Sequence, residues 1–120
     1  MKTSLLELLF CLLLQLQISH SFCPNSNDLT PCQCDNNSYA NGKREYDIKC
    51  SKNEPFDLAS VFAKISEDPR VLNTIYYELT LNDKTIRELP ARAVGEVKFE
   101  EISVLSGCSN LTRIHQQAFK

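Results

Sequence analysis

Four cysteines lie close together near the start of the chain, and thiols at such spacings can form disulfides, bind zinc or take part in redox chemistry. Cys23, Cys32, Cys34 and Cys50 lie in "CPNSNDLTPCQCDNNSYANGKREYDIKC", which is rich in Asn, Ser, Asp and Pro. This composition is typical of loops and offers too few apolar residues for burial alone to hold it. We expect two disulfides, paired either Cys23–Cys34 with Cys32–Cys50 or Cys23–Cys32 with Cys34–Cys50, because bridging Cys32 to Cys34 would strain the bond.

Zinc binding and redox catalysis are weaker explanations of the same cysteines. A structural zinc site usually has two couples of closely spaced ligands, whereas only Cys32 and Cys34 are close here, with a single residue between them. Nothing around this pair indicates a lowered thiol pKa, which a redox cysteine needs. The sequence therefore predicts disulfides, with no metal and no cofactor.

No catalytic residues are predicted. His115 is the only histidine beyond residue 21, and no nucleophile and acid can be assembled around it from the sequence. It occupies the slot that Pro90 fills in a preceding similar segment, which favours a structural role. We do not expect an enzyme.

Two further kinds of residue invite modification or bridging. Asn36 in "NNS" and Asn110 in "NLT" are acceptors for N-glycosylation, and Asn36, in a loop-like stretch, is the better candidate of the two. Cys108 is the cysteine left over. It could be a buried thiol, the partner of a cysteine further along the native chain, or an intermolecular bridge.

The first 21 residues, "MKTSLLELLFCLLLQLQISHS", have the layout of a secretory signal peptide. Lys2 precedes a leucine-rich run, and small residues surround a cleavage site after Ser21. The alternative is a membrane anchor, but the uninterrupted apolar stretch is much shorter than the ~20 residues that a spanning helix needs. We expect a secreted, extracellular protein with no membrane span in this chain.

The charge excludes some partners. The formal net charge is −2, which does not favour nucleic acid or an anionic membrane surface. The expected partner is therefore another extracellular protein.

Residues 54–70 contain one amphipathic helix. Leu58, Val61, Phe62 and Ile65 in "EPFDLASVFAKISEDP" follow the spacing of a single apolar helix face. Pro55 and Asp57 suit the first turn, so the predicted helix covers residues 56–67. Its apolar face is expected to pack into the core.

Residues 71–120 contain an internal repeat. Segment 76–94 lies without gaps on segment 101–119 at an offset of 25 residues. Apolar residues then coincide at six positions: Tyr77 with Ile102, Leu79 with Val104, Ile86 with Leu111, Leu89 with Ile114, Ala93 with Ala118 and Val94 with Phe119. A period of roughly 20 to 29 residues with this order of apolar positions is typical of a leucine-rich repeat, in which a short strand is followed by a return segment over the same core. The fold class expected is therefore an α/β solenoid.

With its cysteine block and its "LTLNDKTIRELPARAV" segment, the chain resembles extracellular leucine-rich repeat proteins that begin with a cysteine-rich cap. In finer detail it is similar to the arthropod proteins named after the non-catalytic subunit of Oplophorus-luciferin 2-monooxygenase. The resemblance implies a cap at residues 22–53 with the bridges Cys23–Cys34 and Cys32–Cys50, then the helix and about two repeats.

These expectations lead to a function. We expect a secreted protein that acts by protein–protein interaction or as a non-catalytic subunit, with the outward residues Glu78, Thr80, Ser103 and Leu105 of the repeat strands forming a small binding face. The apolar end of the second repeat predicts that the chain is a fragment of a longer solenoid. The alternative is a complete small disulfide-rich effector such as a toxin or inhibitor.

Overall fold

A hairpin opens the fold, where the sequence indicated loops. In the computed structural model, which describes residues 22–40 and 43–119, a one-turn helix α1 (Ser26–Leu29) precedes strands β1 (Gln33–Ala40) and β2 (Lys43–Cys50). The two strands pair antiparallel, with a register shift between Asp35 and Ser38. The bridges Cys23–Cys34 and Cys32–Cys50 attach this hairpin to the chain before it. The prediction of two disulfides is therefore confirmed, and the pairing is the one that the resemblance implied. The proposed signal peptide at residues 1–21 lies outside the described residues.

The predicted amphipathic helix is present but shorter than expected. Helix α2 (Leu58–Ile65) begins after Asp57, whose carboxylate accepts hydrogen bonds from the Ser60 backbone N–H and hydroxyl. The hydrogen bond from the Ser60 hydroxyl holds the pKa of Asp57 below its ordinary value. Pro69 does not simply follow the helix; it starts a second, one-turn helix α3 (Pro69–Leu72), as its fixed φ allows.

Strand β2 continues into a four-stranded sheet of order β1-β2-β3-β5. Strand β3 (Ile75–Leu81) pairs parallel with β2, and β5 (Lys98–Val104) pairs parallel with β3. Two short strands, β4 (Glu88–Leu89) and β6 (Arg113–Ile114), form a separate parallel pair. The sheet is therefore mixed, with one antiparallel and two parallel pairings.

The predicted α/β solenoid of leucine-rich repeats is wrong. The described residues form a small globule around the mixed sheet, with few helices, and no solenoid is seen among them. Two parallel strands and two very short ones do not establish a repeating axis, because an antiparallel hairpin supplies half of the main sheet. The local similarity of the two segments is real, but here it produces only neighbouring strands of one core.

The alignment of the two similar segments also shifts in the main sheet. Leu79 pairs with Ile102 rather than with Val104, whereas Leu89 pairs with Ile114 as the offset indicated. The difference between the two pairings is taken up between β5 and β6, in the segment that contains Cys108.

The core lies on one side of the main sheet. Its fully buried members include Ile48, Leu79 and Leu81 from the strands, Phe62 from α2 and Leu89 from β4. These side chains pack as one cluster, in which the half-buried Val61 also takes part. The helix face predicted from the sequence therefore packs into the core.

Tyr76 and Phe99 close the core at the start of the parallel strands. The Phe99 ring lies 5.7 Å from that of Tyr76 and 5.9 Å from that of Phe62. The Tyr76 hydroxyl donates a hydrogen bond to the Phe22 carbonyl at 2.6 Å. Burial raises the pKa of the Tyr76 phenol above its ordinary value, so the residue stays a neutral donor that holds the start of the described chain onto the sheet.

Asp83 is the one buried carboxylate among the core residues of the described chain, at 0% exposure. It accepts hydrogen bonds from the backbone N–H groups of Asn53 and Thr85, both at 2.9 Å, and from the Thr85 hydroxyl at 2.6 Å. Two chain segments that are distant in the sequence are thus joined by one side chain.

Replacing Asp83 by alanine should lower the free energy of unfolding by about 2 to 4 kcal/mol, because buried donors lose their acceptor. Chemical denaturation of the purified protein measures the change. Replacing the exposed Lys84 by alanine provides the matched control and should change the free energy by less than about 0.5 kcal/mol. Equal stability of the two variants would show that water satisfies the donors that Asp83 satisfies in the native protein.

Candidate protein-binding surface

The residues predicted to form a binding face are only partly brought together. Glu78, Thr80 and Ser103 share one face of the main sheet, where the Glu78 carboxylate accepts from the Ser103 hydroxyl at 2.8 Å and from the Thr80 hydroxyl at 3.2 Å. Leu105 lies just past the end of β5 and is 45% exposed. The three polar side chains already satisfy one another, so this cluster offers a partner little that is unpaired.

Carboxylates line up across the same face, which we call the polar face. The strand register places Asp47 opposite Glu78, and Glu78 opposite Glu101. Neighbouring strands lie ~4.8 Å apart, so like charges at these positions raise the energy of the face. Lys49 lies one row further along β2, opposite Thr80. The acidic character is therefore strongest towards β5, where Glu101 is exposed.

Strand β5 is the last strand of the main sheet. It pairs with β3 on one side, and no strand of the described chain pairs with its other side. The Leu105 N–H donates to the Leu81 carbonyl at 2.8 Å, and the backbone N–H groups of consecutive strand residues point to alternate sides. The N–H groups of Ile102 and Val104 therefore point away from β3, towards the unpaired side.

Large apolar side chains are exposed at the end of β5 and in the segment that follows it. Val104 is 40% exposed, Leu105 45%, Ile114 56% and Phe119 41%. We call these four residues, together with strand β5, the open edge. Ile114 belongs to β6, which is likewise an outer strand of its sheet. A soluble surface seldom exposes several large apolar residues together unless another molecule covers them.

A groove of about 470 Å³ runs along the open edge. Its apolar lining comes from Val94, Val97, Phe99, Ile102 and Phe119. The pair formed by Arg92 and Glu96, at 3.4 Å, and the amine of Lys98 border it. An apolar floor with a charged rim is the usual composition of a protein-binding site.

The apolar spacing placed Val104, Ile114 and Phe119 at core positions of a repeat, so their exposure was not predicted residue by residue. The available signal was the prediction that an apolar end would face water. The structure places the exposed apolar residues at the end of β5 and in the segment that follows it, rather than on the polar face.

Neither Cys108 nor His115 forms a reactive site in the structure. The Cys108 thiol is 8% exposed, donates to the Leu81 carbonyl at 3.3 Å and accepts from the Asp83 N–H at 3.4 Å. It is therefore a buried thiol and, in this conformation, too enclosed to bridge molecules. The exposed His115 accepts from the Gln117 N–H through Nδ1 at 3.0 Å, which fits a turn. Within the described ranges, no group of three or more His, Cys, Asp or Glu side chains could hold a metal ion.

The two glycosylation acceptors differ in setting. Asn36 lies in β1, within the stretch where its register shifts. The Asn110 side-chain amide is exposed but donates to the Lys84 carbonyl at 2.8 Å, so a glycan on that nitrogen would compete with a contact between two loops. Use of either acceptor stays a prediction.

The described part of the chain contains no helix long and apolar enough to cross a membrane. Its two disulfides are compatible with an oxidising, extracellular location. Comparisons with protein-family models, with curated proteins and with solved structures found no match. The resemblance to extracellular leucine-rich repeat proteins therefore stays a prediction, and the surface itself must carry any argument about function.

Proposed function

We propose that the protein is a secreted, non-enzymatic module that binds another extracellular protein through its open edge, either alone or as the non-catalytic subunit of a larger assembly. The observation that carries this proposal is the coincidence of an unpaired strand with large exposed apolar residues, above all Ile114 at 56% exposure. The disulfides support the extracellular setting, since they hold a modest core together outside the cell.

The polar face is a less suitable contact surface than the open edge. Its central residues Glu78, Thr80 and Ser103 bond to one another, and charged residues are depleted at the centres of protein interfaces. Apolar anchors that fill a pocket contribute most of the binding energy in such interfaces. The groove beside β5 provides the pocket, and the residues around it provide anchors.

A photo-crosslinking amino acid at Ile114 tests the proposal. The full sequence is expressed through the secretory route, and the secreted protein is irradiated in extracellular fluid from its source. We expect one protein to be captured, and that protein, once purified, should bind about tenfold or more weakly to an Ile114→Asp variant.

The matched control carries the same crosslinker at Lys64, an exposed residue of α2. Capture of the same proteins from both positions would reflect non-specific contact and would contradict the proposal. So would a purified partner that binds the Ile114→Asp variant as tightly as it binds the native protein.

A further inference from the structure

We infer that the partner contributes an extended segment that adds to the main sheet beside β5, with apolar and basic side chains in alternation. This inference rests on the proposed function and deepens it by naming the chemistry of the partner. An exposed sheet edge accepts such a strand through its backbone groups, while alternate side chains of the added strand determine specificity.

The backbone geometry provides the first argument. The N–H of Leu105 is bonded to Leu81 of β3, and the N–H groups along a strand point alternately to its two sides. The N–H groups of Ile102 and Val104 therefore point to the unpaired side of β5. A partner strand would thus meet the outward backbone donors and acceptors of Ile102 and Val104, in the second half of β5.

The side chains beside this edge define what the added strand must carry. Val104 is 40% exposed and Ile102 is half-buried. They lie opposite the buried Leu81 and Leu79, on the core side of the sheet, and Ile102 also lines the groove. Apolar side chains of the added strand would cover them. On the polar face, the alternate side chains of the added strand would lie beside Glu101 and Ser103. Glu101 extends the row of carboxylates formed by Asp47 and Glu78. A lysine or arginine there meets complementary charge.

A second copy of the protein is a poorer occupant of this edge. Two-fold symmetry would pair β5 with itself antiparallel, and centring the strand on Glu101 would set the two Glu101 carboxylates opposite each other. Like charges directly opposite destabilise a strand pair, whereas an alternating apolar and basic segment removes the conflict.

A synthetic peptide of alternating valine and lysine, nine residues long and labelled with fluorescein, tests the inference by fluorescence anisotropy with the secreted protein. We expect saturable binding that weakens about tenfold in Glu101→Lys. A peptide of alternating valine and glutamate should bind this variant better than it binds the native protein. The control Glu54→Lys makes the same charge change at an exposed site outside the open edge and should leave peptide binding within about twofold.

N-methylation of the peptide backbone distinguishes strand addition from docking by side chains alone. In one peptide the valine nitrogens are methylated, and in the other the lysine nitrogens. Either the valine N–H groups or the lysine N–H groups of the added strand point towards β5, but not both. One methylated peptide should therefore lose at least about tenfold in affinity, and the other should lose little. Loss with methylated valines indicates an antiparallel added strand, and loss with methylated lysines a parallel one.

Three results would overturn the inference: no binding of the valine–lysine peptide, equal effects of the two methylated peptides, or a stable dimer of the protein itself in sedimentation equilibrium. The proposed function fails separately, if crosslinking at Ile114 captures nothing beyond the control. A partner that is captured there but binds independently of Glu101 would leave the function standing and remove strand addition.

Discussion

Replacing Cys32 and Cys50 together by alanine should lower the free energy of unfolding by about 3 to 5 kcal/mol. This bridge closes a separation of 18 residues, and a cross-link of that length restricts the unfolded chain by about 3 kcal/mol. Both cysteines are also buried, at 4% and 0% exposure, so their loss leaves space in the core. Urea denaturation of the purified protein measures the effect.

The bridge Cys23–Cys34 is the matched control for that prediction. It closes a shorter separation of 11 residues, and both of its cysteines are only partly buried. Replacing this pair by alanine should therefore cost less, about 2 to 3 kcal/mol. If the control pair proved the more costly to remove, the hairpin rather than the core would be the part of the molecule that depends on disulfides.

Replacing Phe62 by alanine should have an effect of similar size, about 3 to 5 kcal/mol. Phe62 is fully buried, and its ring meets Phe99 edge-on at a centroid distance of 5.9 Å. The side chain therefore joins α2 to the strand that forms the open edge. Its loss leaves a cavity beneath β5, so peptide binding at that edge should weaken together with stability.

Thermal and urea unfolding test the Phe62 prediction, with Lys64→Ala on the same helix as the control. Lys64 is exposed and has only a surface ion pair with Glu67 at 3.4 Å, which contributes little. Its replacement should change stability by less than about 0.5 kcal/mol. A Phe62→Ala variant as stable as Lys64→Ala would mean that α2 does not hold the sheet.

The local parts of the fold could be predicted from the sequence. The apolar face of α2 follows from the spacing of Leu58, Phe62 and Ile65, and all three are buried. The disulfides follow from crowded cysteines in a segment with few apolar residues. The helix face is determined within Leu58–Ile65, and the four cysteines all lie in the single segment 23–50, so neither prediction depends on contacts with the rest of the chain.

The larger architecture could not be predicted in the same way. The sequence between the cysteines is polar and was interpreted as loop, but pairing between residues 33–40 and 43–50 makes it a hairpin. The similarity of two later segments led to the wrong fold class, because apolar spacing describes each segment and not the sheet that it joins. Leu79 pairs with Ile102, two residues before the Val104 that the offset indicated, and this shift decides which side chains lie opposite each other.

The exposure of the apolar residues near β5 could not be predicted for a related reason. Val104 and Phe119 have the residue types of a core, and only the three-dimensional arrangement shows that their outer sides are uncovered. Glu78 and Ser103 have the types of a binding site, yet they satisfy each other at 2.8 Å. Residue type gives the chemistry of a side chain, and the neighbours across the sheet decide whether that chemistry remains accessible.

The register shift in β1 has a consequence for polymerisation. A protein whose sheet has an accepting strand at one edge can form head-to-tail fibres if the strand at its opposite edge pairs with the accepting strand of the next copy. Here the opposite side is β1, whose pairing shifts between Asp35 and Ser38, and irregular edges of this kind resist addition of a further strand. A glycan at Asn36, in the same stretch, would obstruct it further. If a partner strand adds beside β5, the irregular edge at β1 would oppose further growth from the other side of the sheet.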